Sequence, residues 1–99
     1  MTTTVINIRS GARFDVYIGR SRSGEPENVW GNPFSHLPNS RAKFIVPHDE
    51  VLPRYEQWLR AQPELVARAK RELKGKVLAC WCAPGFCHGD ILARVAEEP

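Results

Sequence analysis

The apolar run from Lys76 to Cys82 constrains the fold more than any other feature of this sequence. It has the length of one buried strand, and the turn-forming residues 83–85 end it abruptly. Helical patterns precede and follow the run, so helices must cover the strand that it forms. This order predicts an α/β fold in which a small mixed sheet is covered by about three helices.

Two further strands are predicted near the start of the chain. Thr3–Ile8 and Phe14–Ile18 are rich in β-branched and aromatic residues, and Gly11 marks a turn between them. Their short spacing suggests a hairpin. From Gly19 to Asn39 the chain is rich in Gly, Pro, Ser and Asn without periodicity, which predicts a long loop.

Apolar residues at helical spacing predict the three helices. The first has Asp49 as its N-cap candidate and an apolar stripe over residues 51–59. The second begins at Pro63, a residue favoured at the first helical position, and ends near Gly75. The third is short and carries its stripe over residues 91–96.

Length and composition favour a single domain over residues 1–99. The net charge of +3 makes an anionic partner plausible without requiring one. No apolar stretch approaches the roughly 20 residues of a membrane span, and the first residues do not resemble a secretory signal. Three cysteines, an odd number, fit a reducing compartment, so we expect a cytoplasmic protein with no membrane partner.

Residues 80–90 gather the side chains that can carry chemistry. Side chains alternate along a strand, so Cys80 and Cys82 should face one side of the sheet and Trp81 the other. Cys87 and His88 should lie where the last helix begins, and Asp90 should lie further into it. Ligands often bind where a strand of an α/β sheet runs into a helix N-terminus.

Three interpretations of this segment stay open. Cys80, Cys82, Cys87 and His88 form the ligand set of a Cys3His zinc site, although the spacing departs from the usual C-x2-C knuckle. Alternatively, Cys87 is a nucleophile whose thiolate is favoured by the helix N-terminus, with a histidine such as His88 as base. In the third interpretation the cysteines are core residues and Asp90 caps the last helix.

The long loop supplies a second candidate surface. Gly19 permits close backbone approach, and Arg20 can hold a phosphate or carboxylate with two hydrogen bonds. Residues 30–34 add aromatic rings for stacking, and Asn32 adds an amide, although Gly31-Asn32-Pro33 taken alone is typical of an ordinary turn. The other two histidines have no evident partner in the sequence and are predicted to lie on the surface: His36 and His48.

The three blocks 17–20, 31–34 and 73–90 resemble the bacterial and phage family called domain of unknown function 4326. The resemblance runs over nearly the whole chain, and its cysteine-tryptophan-cysteine element is specific. Residues 21–30 depart from it as a polar insert. The resemblance implies no activity, and by analogy it favours nucleotide or nucleic-acid biology. The positions that match the family pattern are Gly19, Arg20, Gly31, Asn32, Pro33, Cys80, Cys82, Cys87, His88 and Asp90.

The hypothesis from the sequence is a pocket for a small anionic ligand, a nucleotide or nucleoside derivative, where these three blocks meet. Arg20 would hold the anion and Asn32 would orient the ligand, beside Gly19 and Gly31. His88, Asp90 and Cys87 would supply any acid–base or nucleophilic chemistry, and whether the site is catalytic stays open. The alternative is a zinc-stabilised module that binds nucleic acid or protein without catalysis.

Overall fold

A computed structural model describes residues 2–20, 28–38, 42–81 and 87–99 of the chain. Short 3-10 helices cover Ile8–Ser10 and His48–Glu50. The strands and α-helices, in chain order, are β1 (Thr4–Asn7), β2 (Val16–Tyr17), β3 (Phe34–Ser35), β4 (Phe44–Ile45), α1 (Val51–Arg60), α2 (Pro63–Glu72), β5 (Val77–Cys80) and α3 (His88–Glu97).

The main sheet has the strand order β1-β5-β2, and both pairs are parallel. Leu78 of β5 lies between Val5 of β1 and Val16 of β2. Three consecutive buried residues end β5, a pattern typical of the central strand of a parallel sheet. The predicted α/β class, with a small sheet under three helices, is confirmed.

The predicted hairpin of the first two strands is wrong. β1 and β2 do not pair with each other, since each pairs with one edge of β5. The chain does turn at Gly11, whose φ of 76° favours glycine. The chain then runs back before β2 begins. Just before β2, Asp15 bonds twice to Val77: the Val77 amide donates to the Asp15 carboxylate, and the Asp15 amide donates to the Val77 carbonyl. The more apolar strand, β5, takes the central place.

The three helices pack against one another as one helix layer, and α3 joins this layer to the main sheet. α3 contacts β1, β5, α1 and α2, and its buried positions include Leu92 and Val95. α2 begins at Pro63 as predicted, and Gly75 beyond its end has a φ of 75°. The N-cap of α1 is Glu50, without a side-chain cap bond, rather than Asp49, because a 3-10 turn that contains Asp49 precedes the helix.

A second, two-stranded sheet pairs β3 with β4 in parallel beside α1. It interrupts the predicted loop 19–39, of which residues 21–27 and 39 lie outside the described residues. The rings of Phe34 and Phe44 stack at 5.2 Å between centroids. None of the helices in the described ranges is long and apolar enough to span a membrane.

Candidate functional site

The carboxyl ends of β2 and β5 lie side by side, because both strands are parallel members of one sheet. Gly19 and Arg20 follow the end of β2, and Trp81 follows the end of β5. Helix α3 begins at His88, close to this edge, since the His88 ring bonds to the Ile18 carbonyl. The strand-end and helix-start arrangement predicted from the sequence is therefore present in the fold.

A cavity of about 210 Å³ lies at this edge of the sheet. Each of the three sequence blocks that were predicted to converge contributes to its lining. The contributing residues are Gly19 and Arg20 from the first block, Asn32 and Phe34 from the second, and Cys80 and His88 from the third.

Arg20 joins the first block to the second. Its Nε atom donates to the Asn32 carbonyl at 2.8 Å, and its Nη2 atom donates to the Phe34 carbonyl at 3.0 Å. The half-buried guanidinium therefore holds the Gly-Asn-Pro-Phe turn in place while it carries its charge to the cavity. The sequence predicted only the second of these roles.

Asn28 fixes the other side of the same turn, a role that was not predicted from the sequence. Its Nδ2 atom donates to the carbonyls of Tyr17 and Gly19 at 2.9 and 2.8 Å, and its Oδ1 atom accepts from the Trp30 amide. The amide nitrogen and the amide oxygen of Asn28 therefore both bond to backbone groups and fix their positions. We call residues 17–20 and 28–35 the cavity wall.

Gly31 and Asn32 have structural reasons for their places in the cavity wall. A Cβ atom at Gly31 would lie 3.3 Å from the Arg20 Cα and 3.2 Å from the Asn28 carbonyl oxygen, so the two backbone segments approach closely there. Asn32 is buried, and its Oδ1 atom accepts from the Phe34 amide at 2.9 Å. This bond is an Asx turn, the ordinary role that the sequence also allowed.

His88 is a buried member of the cavity lining. Its Nε2 atom bonds to the Ile18 carbonyl at 2.8 Å, so Nε2 carries the proton, and its ring meets that of Tyr55 edge-on at 5.1 Å. Burial lowers the pKa of His88, and the positive charge of Arg20 acts in the same direction against the raising effect of the Ile18 carbonyl and the Cys80 thiol. The imidazole is therefore neutral near pH 7.

The structure brings two of the predicted metal ligands together. The Sγ atoms of Cys80 and Cys87 are 2.7 Å apart, and both residues are buried thiols outside any disulfide bond. Cys87 is the N-cap of α3 and its sulfur accepts from the Gly89 amide at 3.3 Å. Cys82 lies outside the described residues, and within the described ranges no three metal-ligating side chains form a group.

Asp90 does not join His88 at the cavity. It is exposed in the first turn of α3 and is not among the described residues that line the cavity. Helix geometry gives the reason: residues two positions apart on a helix point to different sides, so a buried His88 places Asp90 toward solvent. Both side chains were predicted to supply polar or acid–base groups to the pocket, and in the described lining only His88 does so.

The exposed aromatic ring at the cavity is that of Trp81, and not that of Trp30. Trp30 is 5% exposed, and the Arg68 guanidinium lies 5.5 Å from its ring centroid. Trp81 is 45% exposed, lines the cavity, and donates its Nε1 proton to the Tyr17 hydroxyl at 2.7 Å. Strand alternation predicted that Trp81 faces away from the cysteines, but β5 ends at Cys80, and Trp81 lines the cavity together with Cys80.

His36 and His48 are exposed, as predicted. Their rings meet edge-on with 4.6 Å between centroids, and His36 also reaches the rim of the cavity. This contact joins β3 to the turn before α1. The sequence held no signal for it, because the two residues are separated by the β3–β4 connection.

The model of the family described as domain of unknown function DUF4326 matches residues 6–98. The chain belongs to the DUF4326 family. No curated protein and no solved structure matches it. Every block from which the resemblance was inferred, residues 17–20, 31–34 and 73–90, falls within the matched range of this DUF4326 domain.

Proposed function

We propose that this DUF4326 domain binds a small anionic ligand, a nucleotide or nucleoside derivative, in the cavity at the carboxyl edge of its sheet. One observation carries the proposal: three separate sequence blocks line one cavity, whose described lining includes the Arg20 cation and no carboxylate. We propose binding and assign no reaction. A cytoplasmic location and a bacterial or phage origin are further parts of the proposal.

Electrostatics favours an anion in this cavity. The guanidinium of Arg20 is half-buried, and charge–charge interactions strengthen where water is partly excluded. His88 is neutral near pH 7, so the attraction for an anion comes from Arg20 and not from His88. The N-terminus of α3 also reaches the cavity through His88, and the positive end of a helix dipole favours negative charge.

Size and stacking narrow the ligand class. Pockets for drug-sized ligands occupy about 300–1,000 Å³, so a cavity of about 210 Å³ suits a base or a phosphorylated sugar rather than a dinucleotide. Trp81 offers an exposed ring at the edge of the cavity, with its orientation fixed by the bond to Tyr17. Base–aromatic stacking contributes about 1–3 kcal/mol per base.

The test compares nucleoside 5′-monophosphates with the matching nucleosides and with inorganic phosphate. We expect a monophosphate to raise the melting temperature more than either of its parts, and tryptophan fluorescence to change on titration in the wild type but not in Trp81→Phe. Trp81→Leu should weaken binding measured by calorimetry while Trp81→Phe retains most of it. If no member of the panel shifts the melting temperature at millimolar concentration, the proposal is wrong.

Arg20 needs a different control, because it also holds the turn. Arg20→Ala should lower both affinity and melting temperature, since it removes the bonds to the Asn32 and Phe34 carbonyls. Arg20→Lys keeps the charge and loses the fork of donors. Monophosphate affinity that falls in Arg20→Ala but survives in part in Arg20→Lys assigns the anion to this cation.

A second candidate function is a zinc-stabilised module that binds nucleic acid or protein. The proximity of the Cys80 and Cys87 sulfurs favours it, with Cys82 in the same segment. A chelator should then lower the melting temperature sharply, because metal binding is coupled to folding. Metal analysis of protein purified without a metal-binding tag separates the two functions, and a nucleic-acid complex would weaken steeply with salt.

A further inference from the structure

Cys80 and Cys87 form a pair of thiols to which the proposed ligand binding assigns no role. Cys80 is the last residue of β5 and Cys87 is the N-cap of α3, so the ends of two regular elements position them. Their Sγ atoms lie 2.7 Å apart, whereas a disulfide bond is about 2.05 Å long. The backbone therefore already brings the two sulfurs close to bonding distance.

We propose that Cys80 and Cys87 are a redox pair that a peroxide converts to an intramolecular disulfide and that a dithiol reduces again. The redox pair does not depend on the proposed ligand. Unlike a zinc site it needs no metal ion, and unlike a Cys87 nucleophile it needs no substrate of its own beyond the peroxide.

The cavity gives the two thiols different roles. Cys80 lines the cavity, so a molecule as small as hydrogen peroxide can approach its sulfur from that side. Cys87 is absent from the described lining, and the Gly89 amide donates to its sulfur. A helix N-terminus stabilises a thiolate, which suits Cys87 for attack on an oxidised Cys80.

The chemistry proceeds in two balanced steps. The Cys80 thiolate attacks one peroxide oxygen, the O–O bond breaks, and the departing hydroxide takes a proton to become water, which leaves a sulfenic acid on Cys80. The Cys87 thiolate then attacks the Cys80 sulfur, the S–O bond breaks, and a second water leaves. Two thiols lose two electrons in all, and one peroxide is reduced to two waters.

Cys82 is the competitor that the test must exclude. Chymotrypsin cleaves after Trp81 and Phe86, and these bonds separate all three cysteines into different peptides. The chain as purified is treated with one equivalent of hydrogen peroxide, alkylated in denaturant and digested. We expect loss of two of its three titratable thiols, the mass of two hydrogen atoms, and a linked pair that joins the Cys80 peptide to the Cys87 peptide.

Matched variants separate the two roles. Cys82→Ser should form the same linked pair, and Cys87→Ser should stop at a sulfenic acid on Cys80 that dimedone traps. Because Cys80 and Cys87 are buried, their serine variants are checked for folding, and the peptide map of the unaltered chain decides on its own. A linkage through Cys82, three unreacted thiols, or protection that ends only when a chelator removes a metal ion would overturn the proposal.

Discussion

The helix layer and the cavity wall are held by different forces. Helices α1, α2 and α3 present apolar side chains inward, among them Tyr55, Leu59 and Leu92, and polar pairs on their outer faces. The cavity wall is held by side chains that donate to backbone carbonyls, through Asn28 and Arg20. Irregular backbone has no ladder of its own, so side chains must satisfy its carbonyls.

Substitutions in the two regions should therefore fail in different ways. In the helix layer, stability follows buried apolar volume and tolerates most changes at the surface. In the cavity wall, one polar atom can decide whether a turn keeps its shape. The variants that follow test this contrast, in order of decreasing expected loss of stability.

Leu92→Ala should give the largest loss. Leu92 is fully buried in α3, and truncation of a buried leucine costs about 2–5 kcal/mol through lost burial and the resulting cavity. Urea unfolding followed by circular dichroism measures the change. Leu37→Ala is the control, because Leu37 is 54% exposed and its truncation should change stability by less than about 0.5 kcal/mol. Equal losses in the two variants would contradict the description of the helix layer.

Asn28→Ala should destabilise the domain by about 1–3 kcal/mol, because it leaves the Tyr17 and Gly19 carbonyls without their donor. Asn28→Asp is the matched variant: it keeps the acceptor for the Trp30 amide and puts a carboxylate against two carbonyls. We therefore expect Asn28→Asp to be at least as harmful as Asn28→Ala in the same unfolding measurement. An Asp variant that equals the wild type would show that the two donors do not hold the wall.

Acid should destabilise the fold through His88. Burial lowers its pKa in the folded state, so below the unfolded value of about 6.5 the unfolded chain binds more protons and stability falls as pH falls. One proton limits the slope to about 1.4 kcal/mol per pH unit. Between pH 6.5 and 5, unfolding free energies should fall in the wild type, and the slope should be smaller in His88→Gln.

His88→Gln is the suitable variant because its amide can still donate to the Ile18 carbonyl in place of Nε2. The charged and titratable side chains that act on the pKa of His88 in the fold, Arg20 and Cys80, are unchanged in this variant. The carboxylates with lowered pKa values, such as Glu56, lose their contribution nearer and below their ordinary pKa of 4.5, outside this window. Identical slopes in the two proteins would exclude His88 as the source.

Arg54→Gln should have the smallest effect. Arg54 pairs with Glu50 at 2.9 Å on the outer face of α1, and both side chains are about half exposed. Such i,i+4 pairs contribute about 0.3–0.5 kcal/mol, and salt screens them. The difference from wild type should disappear in 1 M NaCl, a concentration at which the Debye length is about 3 Å. A loss as large as that of Asn28→Ala would contradict the contrast between the two regions.

The elements that sequence pattern predicted best are those with strong local signals. The buried strand β5, the start of α2 at Pro63 and the glycine turns follow from apolar periodicity and backbone preference, which act within a few residues. The pairing of β1 with β5 could not be inferred in this way, because about 70 residues separate them along the chain. Proximity in the sequence favoured the wrong partner.

In the candidate site, too, residue types could be predicted from the sequence, and long-range contacts could not. The residue types at Gly19, Arg20, Cys80, Cys87 and His88 are enough to mark two of the three blocks, and Asn32 marks the other. The partners of those residues depend on the fold: Arg20 bonds to the cavity wall, and Trp81 rather than Trp30 offers an exposed ring. Asn28 had no distinguishing signal, because its role lies in two carbonyls from another segment.

The amino-acid sequence alone was sufficient to predict an α/β domain with helices over a sheet, and to mark the three blocks that line the cavity. The order β1-β5-β2, the cavity between the blocks and the contact of Cys80 with Cys87 follow from the tertiary structure only. The reason is physical. Periodicity and turn preference are local properties of the chain, whereas a cavity and a sulfur–sulfur contact arise only when distant segments bury their surfaces together.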